Sequence, residues 1–250
     1  MPLPRLPFRD PRTVARDIPG VLDVLFPRLT GGLVMSLNRR MFSFPGLVPI
    51  SDELFKGSGL QKAMLFELSM ARVESELAGG AHASWDDCLQ VAIERQKRHY
   101  DARIPEKLEE QDIEIAAQAA RNMIGMLNSL QSQRPGVHLE TAPKIPGMGW
   151  IASGNGDFAL ADTLIEVKHS FRNFAANDFR QVLMYWLLKY GEAIEHGGAI
   201  WSEILLLNPR RNAGLALKFD YLLRSASGNL SRVELLELLR SVVGPDLERR

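Results

Sequence analysis

The sequence predicts an α/β protein: a mixed sheet in the C-terminal half, preceded by a mostly helical region. Three observations carry that expectation. Apolar residues keep helical spacing through residues 51–133. Strand-like alternation replaces it after Gly136. A fully apolar run, Ile204-Leu-Leu-Leu207, then follows a helical stretch, as a buried parallel strand does.

Residues 1–50 read as a proline-rich N-terminal arm with one or two short helices, broken repeatedly by Pro2, Pro4, Pro7, Pro11, Pro19, Pro27, Pro45 and Pro49. Residues 51–105 read as a helical region and 106–250 as the sheet-bearing domain. In the helical part, Leu60, Met64, Leu68 and Ala71 mark one helix, closed by Gly79-Gly80. A second runs from Trp85 to about Tyr100. The third begins after Pro105, carries Ile113, Ala117, Ala120, Ile124, Leu127 and Leu130 on one face, and stops before Pro135. Strands are expected at Val137–Thr141, Trp150–Ala152, Asp157–Leu160 and Thr163–Lys168. A helix from Asp178 to Tyr190, ended by Gly191, leads to the apolar run, and the crossover is expected to be right-handed. Ser231-Arg-Val-Glu234 is a capping box for a terminal helix.

The chemistry concentrates at one hairpin. A two-residue turn at Ala161-Asp162 pairs Leu160 with Thr163, Phe158 with Ile165, and Asp157 with Glu166. Strand alternation then sets Phe158, Leu160, Ile165 and Val167 on a core face, with Asp157, Glu166 and Lys168 on the other. Facing carboxylates repel unless a cation lies between them. A hard divalent ion accepts carboxylate oxygens and a backbone carbonyl, which Val167 can supply, and it neutralises charge on a phosphate oxygen. Lys168 is placed to orient a water. The bland alternative, a turn-capping Asp157 beside a solvated Glu166–Lys168 pair, fits poorly with the apolar neighbours, since buried charge is costly unless paired.

These segments resemble the PD-(D/E)XK nuclease superfamily. Gly156-Asp157 and Leu164-Ile-Glu166-Val-Lys168 look like its central hairpin, and the helix, three strands, helix, strand order looks like its αβββαβ core. Gln181-Val-Leu-Met-Tyr185 is similar to the Gln-x-x-x-Tyr element of the RecB-like branch. The resemblance covers roughly residues 106–210. It implies a restriction-endonuclease-like fold and a metal-dependent deoxyribonuclease using Mg2+ or Mn2+, in DNA repair or in defence against foreign DNA. Asp157 and Glu166 would be metal ligands, Lys168 the catalytic lysine, and Gln181 and Tyr185 supports of the site or contacts to nucleic acid. The family often adds a Glu from the helix before the sheet. Glu106, Glu109, Glu110 and Glu114 compete for that role, and Glu110 is the choice here. RecB-like members can carry an upstream histidine, for which His99 is available. Arg172 and Arg180 flank the helix entrance and suit backbone phosphates. A second reading keeps the fold without catalysis, as a nucleic-acid-binding or scaffold subunit. A third makes the proline-rich arm a protein contact or a self-association surface.

Composition bounds these readings. The chain has 250 residues, is 46% hydrophobic and carries a formal net charge of zero. That is enough for a substantial core, and any polyanion must be met by a local basic patch, not by a global field. A single cysteine, Cys88, rules out an internal disulfide framework and an iron–sulfur cluster, and a reducing cytoplasm is expected. The N-terminus does not read as a signal peptide. No run approaches the ~18 apolar residues of a membrane span.

Overall fold

A computed structural model of the chain describes residues 8–18, 20–79, 83–97 and 103–244. The arm folds into α1 (Pro11–Asp17), α2 (Val21–Leu25) and α3 (Gly31–Asn38), more helix than its prolines suggest, and the short α4 (Asp52–Lys56) opens the helical region. Pro11 opens α1, where its missing N–H costs nothing, and Asp10 caps it by accepting from the Thr13 amide at 3.0 Å. α5 (Lys62–Leu77), α6 (Trp85–Gln96) and α7 (Glu110–Ser132) follow. The remainder alternates: β1 (Leu139–Thr141), β2 (Lys144–Ile145), β3 (Gly154–Asn155), β4 (Phe158–Leu160), β5 (Thr163–Val167), α8 (Ala176–His196), β6 (Glu203–Asn208), β7 (Ala213–Lys218), α9 (Phe219–Ser227) and α10 (Arg232–Val243).

The main sheet has the order β1-β4-β5-β6-β7. β5 and β6 are parallel and the other neighbours antiparallel, so the sheet is mixed. The hairpin register is the expected one: Phe158 opposite Ile165, Ala159 opposite Leu164, Leu160 opposite Thr163. Ala161 takes the left-handed conformation, φ 53°, that the tight turn needs.

Helices cover both sheet faces, which explains why β5 is buried along its whole length and β6 along all but its first residue. Phe158, Leu160, Ile165, Val167, Leu205 and Leu207 pack on one side with Met70 and Val73 of α5 and Met123 and Leu127 of α7. Leu164, Ile204, Leu206, Leu215 and Leu217 pack on the other with α8 and with Val14, Leu22 and Leu25 of the arm. Each such aliphatic side chain, fully buried, contributes about 1.5–3 kcal/mol. The arm is therefore part of the second core layer.

Several expectations are corrected. Gly191 does not end α8. It is buried mid-helix, where a Cβ would lie 2.4 Å from Met148 Cε, so a close crossing, not a stop, requires the glycine. Trp150–Ala152 is not a strand: Ile151 alone makes isolated bridges, to Arg9 and Met148, while β2 and β3 form a separate two-stranded sheet. α7 is rotated from its expected phase, burying Ile115, Ala116, Ala119 and Met123 and leaving Ile113, Ala117, Ile124 and Leu130 partly exposed. β7 and α9 were not expected at all. The Ser231–Glu234 capping box forms as read, Glu234 N to Ser231 Oγ at 3.2 Å and Ser231 N to Glu234 Oε2 at 2.8 Å. Among the described residues no helix is long and apolar enough to cross a membrane.

Candidate active site

The end of β5 brings the hairpin residues together on the face that packs against α8. Glu166 is fully buried there, between Leu164 and Lys168 in the strand's alternation. Asp157 immediately precedes β4, and continuing the register sets it opposite Glu166. Its Oδ2 accepts the Val167 amide at 2.7 Å, which fixes the carboxylate against the strand end. A residue in an extended strand turns its N–H and C=O to the same edge, so the Val167 carbonyl lies on Asp157's side.

α8 supplies the rest. Gln181 and Tyr185 are one turn apart and both buried, at 0% and 2% exposure. Gln181 acts as a clamp. Its Oε1 accepts from Lys168 Nζ at 2.8 Å, and its Nε2 donates to Glu166 Oε1 at 2.5 Å and to Tyr185 Oη at 2.8 Å. Lys168 Nζ also donates to Glu166 Oε1 at 3.0 Å and lies 3.8 Å from Asp178 Oδ1. Asp178 is itself held as the cap of α8 by the Ala175 amide, at 2.8 Å. The ammonium thus uses two of its three donors in hydrogen bonds. Because Gln181 and Tyr185 turn inward, the structure uses them to position the acid–lysine pair.

Arg12, a residue that sequence reasoning missed, reaches into this site from α1. Its Nη2 lies 3.6 Å from Asp157 Oδ1 and 3.7 Å from Glu166 Oε1. Main-chain bonds hold the arm in place: Arg9 N to Trp150 O at 3.4 Å and Ala152 N to Arg9 O at 2.8 Å. The side chain keeps 39% exposure, so the guanidinium stands at the mouth of the site and is not sealed within it. Nothing local in Asp10-Pro11-Arg12 announces this contact.

The electrostatics follow from burial. Desolvation first, then the neighbouring Glu166 charge, push the Asp157 carboxyl up to about 7 against the pull of Arg12 and Lys168. The Tyr185 phenol is raised by the same causes, burial and then Glu166. Desolvation opposes the Arg12 charge, but Glu166 and then Asp157 outweigh it and raise its pKa. Two buried carboxylates therefore call for a cation. Glu166 Oε2 is buried without a hydrogen-bond partner among the described residues. With Asp157 Oδ1 and the Val167 carbonyl it makes a hard-oxygen donor set that fits a divalent ion. Among the described residues no group of three or more His, Cys, Asp or Glu gathers to hold a metal.

The other expected residues are placed elsewhere. Glu110 is exposed at the start of α7, and among the described residues no hydrogen bond or ion pair joins it to the hairpin. The reason is helical reach. Asn122 Nδ2 donates to Pro209 O at 2.8 Å, which marks the α7 turn level with the end of β6. Glu110 lies three turns before that point, about 18 Å along the axis, and no Asp or Glu occurs from Ile115 to Leu127. Glu106, Glu109 and Glu114 are likewise exposed. His99 lies outside the described residues. Arg180 is engaged with Asp23 and with Asn177 Oδ1, the latter at 3.2 Å, whereas Arg172 is exposed.

Compared with models of known families, with curated proteins and with solved structures, the chain gives no match.

Proposed function

We propose that this chain is a metal-dependent nuclease with a PD-(D/E)XK-type site, hydrolysing phosphodiester bonds of DNA. One observation carries the reading: a fully buried Glu166 with a free carboxylate oxygen, facing Asp157 and hydrogen-bonded to Lys168. A structural ion pair does not need a second buried acid, and burying one is costly. The element order supports the reading, since α7, β1, β4, β5, α8 and β6 run as a helix, three strands, a helix and a strand. With β2 and β3 set aside as a separate sheet between β1 and β4, that order agrees with the αβββαβ plan expected of a restriction-endonuclease-like core.

Asp157, Glu166 and the Val167 carbonyl would hold Mg2+ or Mn2+, which supplies charge neutralisation at a phosphate oxygen. The protein's own groups do the remaining work. Lys168 directs its third N–H at the attacking water or at the phosphate. Gln181 fixes the ammonium, and Tyr185 fixes Gln181. Water adds at phosphorus, a P–O bond to a sugar oxygen breaks, and the proton lost by the water ends on the departing sugar oxygen.

The test is cleavage of labelled single- and double-stranded DNA with and without Mg2+. Wild type should cut, and Asp157→Ala and Lys168→Ala should lose about 10²-fold or more. Equal cutting by those variants overturns the reading. The placement of Arg12 between the carboxylates favours a second one, a nuclease fold retained as a nucleic-acid-binding or scaffold subunit. Calorimetric titration with Mn2+ separates the two, because the scaffold binds none.

A further inference from the structure

Past Lys168 the chain leaves the sheet through residues 169–172 and runs against the turn that follows β6. Asn208 Nδ2 donates to Ser170 O at 2.7 Å and ties the two together. His169 packs inward, its ring 5.7 Å from Phe55 and 6.3 Å from Phe66. Phe171, two residues on, is 47% exposed.

Three cations from three parts of the chain converge on that ring. Lys62 Nζ, at the start of α5, lies 4.8 Å from its centroid. Arg172 Cζ lies 5.0 Å away and Arg210 Cζ 5.7 Å. Arg210 is 4% exposed and stacks at 3.5 Å over Phe55. Its Nη2 donates to Asp52 Oδ1 at 2.8 Å, while its Nε and Nη1 are buried without a hydrogen-bond partner. Lys62 and Arg172 form no ion pair among the described residues and are exposed. Asp52 offsets Arg210, while Lys62 and Arg172 keep uncompensated charge beside a half-exposed apolar ring. A ligand with both a π face and a negative charge answers both, and a nucleotide has both. Phenylalanine stacks on any base but reads none, and it reaches only a base that has left a duplex.

We propose that Phe171, backed by the buried Arg210, forms a stacking platform for an unpaired nucleobase of single-stranded DNA, with the exposed Lys62 and Arg172 holding the adjoining phosphates. The substrate form rests on the nuclease reading, because the platform begins three residues past Lys168, about 10 Å of extended chain. A strand stacked on Phe171 would thus lead toward Asp157 and Glu166.

The test measures binding of labelled oligothymidylate and of a blunt duplex in EDTA, where no cleavage occurs. Wild type should prefer the single strand. Phe171→Ala should weaken single-strand binding about tenfold and leave duplex binding unchanged. Phe171→Trp should keep the affinity and show quenched indole emission on binding. Lys62→Ala and Arg172→Ala should each reduce the salt dependence of log Kd by about 0.7. A well-folded Phe171→Ala variant that binds oligothymidylate like wild type overturns the platform, as does wild type that binds no single strand. Cleavage separates the two ideas. Binding through Phe171 without Mg2+-dependent cutting sinks the nuclease reading alone. Cutting with single-strand affinity indifferent to Phe171 sinks the platform alone.

Discussion

The Arg12 guanidinium stands 3.7 Å from Glu166 Oε1, although the two residues are far apart in the sequence, one in α1 and the other in β5. It also faces Asp157 at 3.6 Å, so one cation bridges both carboxylates. A divalent ion held by the same oxygens must compete with it. At an effective dielectric near 20, a charge about 4 Å away is worth up to about 4 kcal/mol, and the partial exposure of Arg12 lowers that figure. Arg12→Ala should therefore tighten Mn2+ binding about tenfold or more, as read by calorimetry. The same substitution should lower the melting temperature in EDTA and restore much of it when Mn2+ is added. Unchanged Mn2+ affinity would show that cation and guanidinium do not share the site.

Gln181 holds Lys168 and Glu166 at once, through its Oε1 and Nε2. Removing it leaves both groups chemically intact but freer to move. Gln181→Ala is expected to lower kcat about 10–100-fold with little change in KM for DNA, because the side chain is fully buried. A rise in KM at constant kcat would instead make Gln181 a binding residue.

How much of this could be read in advance depends on the range of the interaction. The hairpin was legible because a period of two and a two-residue turn fix the register: Phe158 against Ile165 and Leu160 against Thr163 leave Asp157 no place but opposite Glu166. The α7 helix was legible in extent but not in phase, since its alanines let either of two neighbouring stripes turn inward, and packing against α5 and the sheet chose Ala116 and Ala119 over Ala117. β7 carries a readable signal, Leu215 and Leu217 inward on one side after the Asn208–Asn212 turn, but Gly214 and Ala216 weaken it. Arg12 was illegible because only the tertiary course of the arm brings it to the hairpin. Glu110 illustrates the converse: sequence offered four acids, and among the described residues no hydrogen bond or ion pair joins any of them to the hairpin.

Gly191 tests the α8 crossing. A Cβ there would meet Met148 Cε at 2.4 Å and Leu236 Cδ1 at 3.2 Å. Alanine gains about 1 kcal/mol in helix propensity but overpacks a tight contact at about 1–3 kcal/mol. Gly191→Ala should therefore lower stability by up to about 2 kcal/mol in chemical denaturation. Met148 meets the new atom with the end of a flexible side chain, so adding Met148→Ala should recover most of the loss. If the two substitutions prove additive, the contact with Met148 is not what requires the glycine.

Glu203 anchors the far end of the sheet, away from the acid–lysine cluster. Its carboxylate receives Lys218 Nζ at 2.8 Å, Arg134 Nη2 at 2.8 Å and Thr163 Oγ1 at 3.2 Å. The Lys218 hydrogen bond above all, with help from Arg134 and against desolvation, holds its pKa below the ordinary 4.5. A carboxyl depressed by folding stabilises the native state above the unfolded pKa and loses that contribution as pH falls through the folded value. Wild type should accordingly exceed Glu203→Gln by about 1–2 kcal/mol at pH 7, a figure already reduced for its 25% side-chain exposure. The gap should narrow once the pH drops below 4.5 and close at lower pH. Parallel thermal melts of the two proteins across that range check it. A gap that stays constant with pH would mean that Glu203 acts through packing and not through its charge, because only the ionised form attracts Lys218 and Arg134.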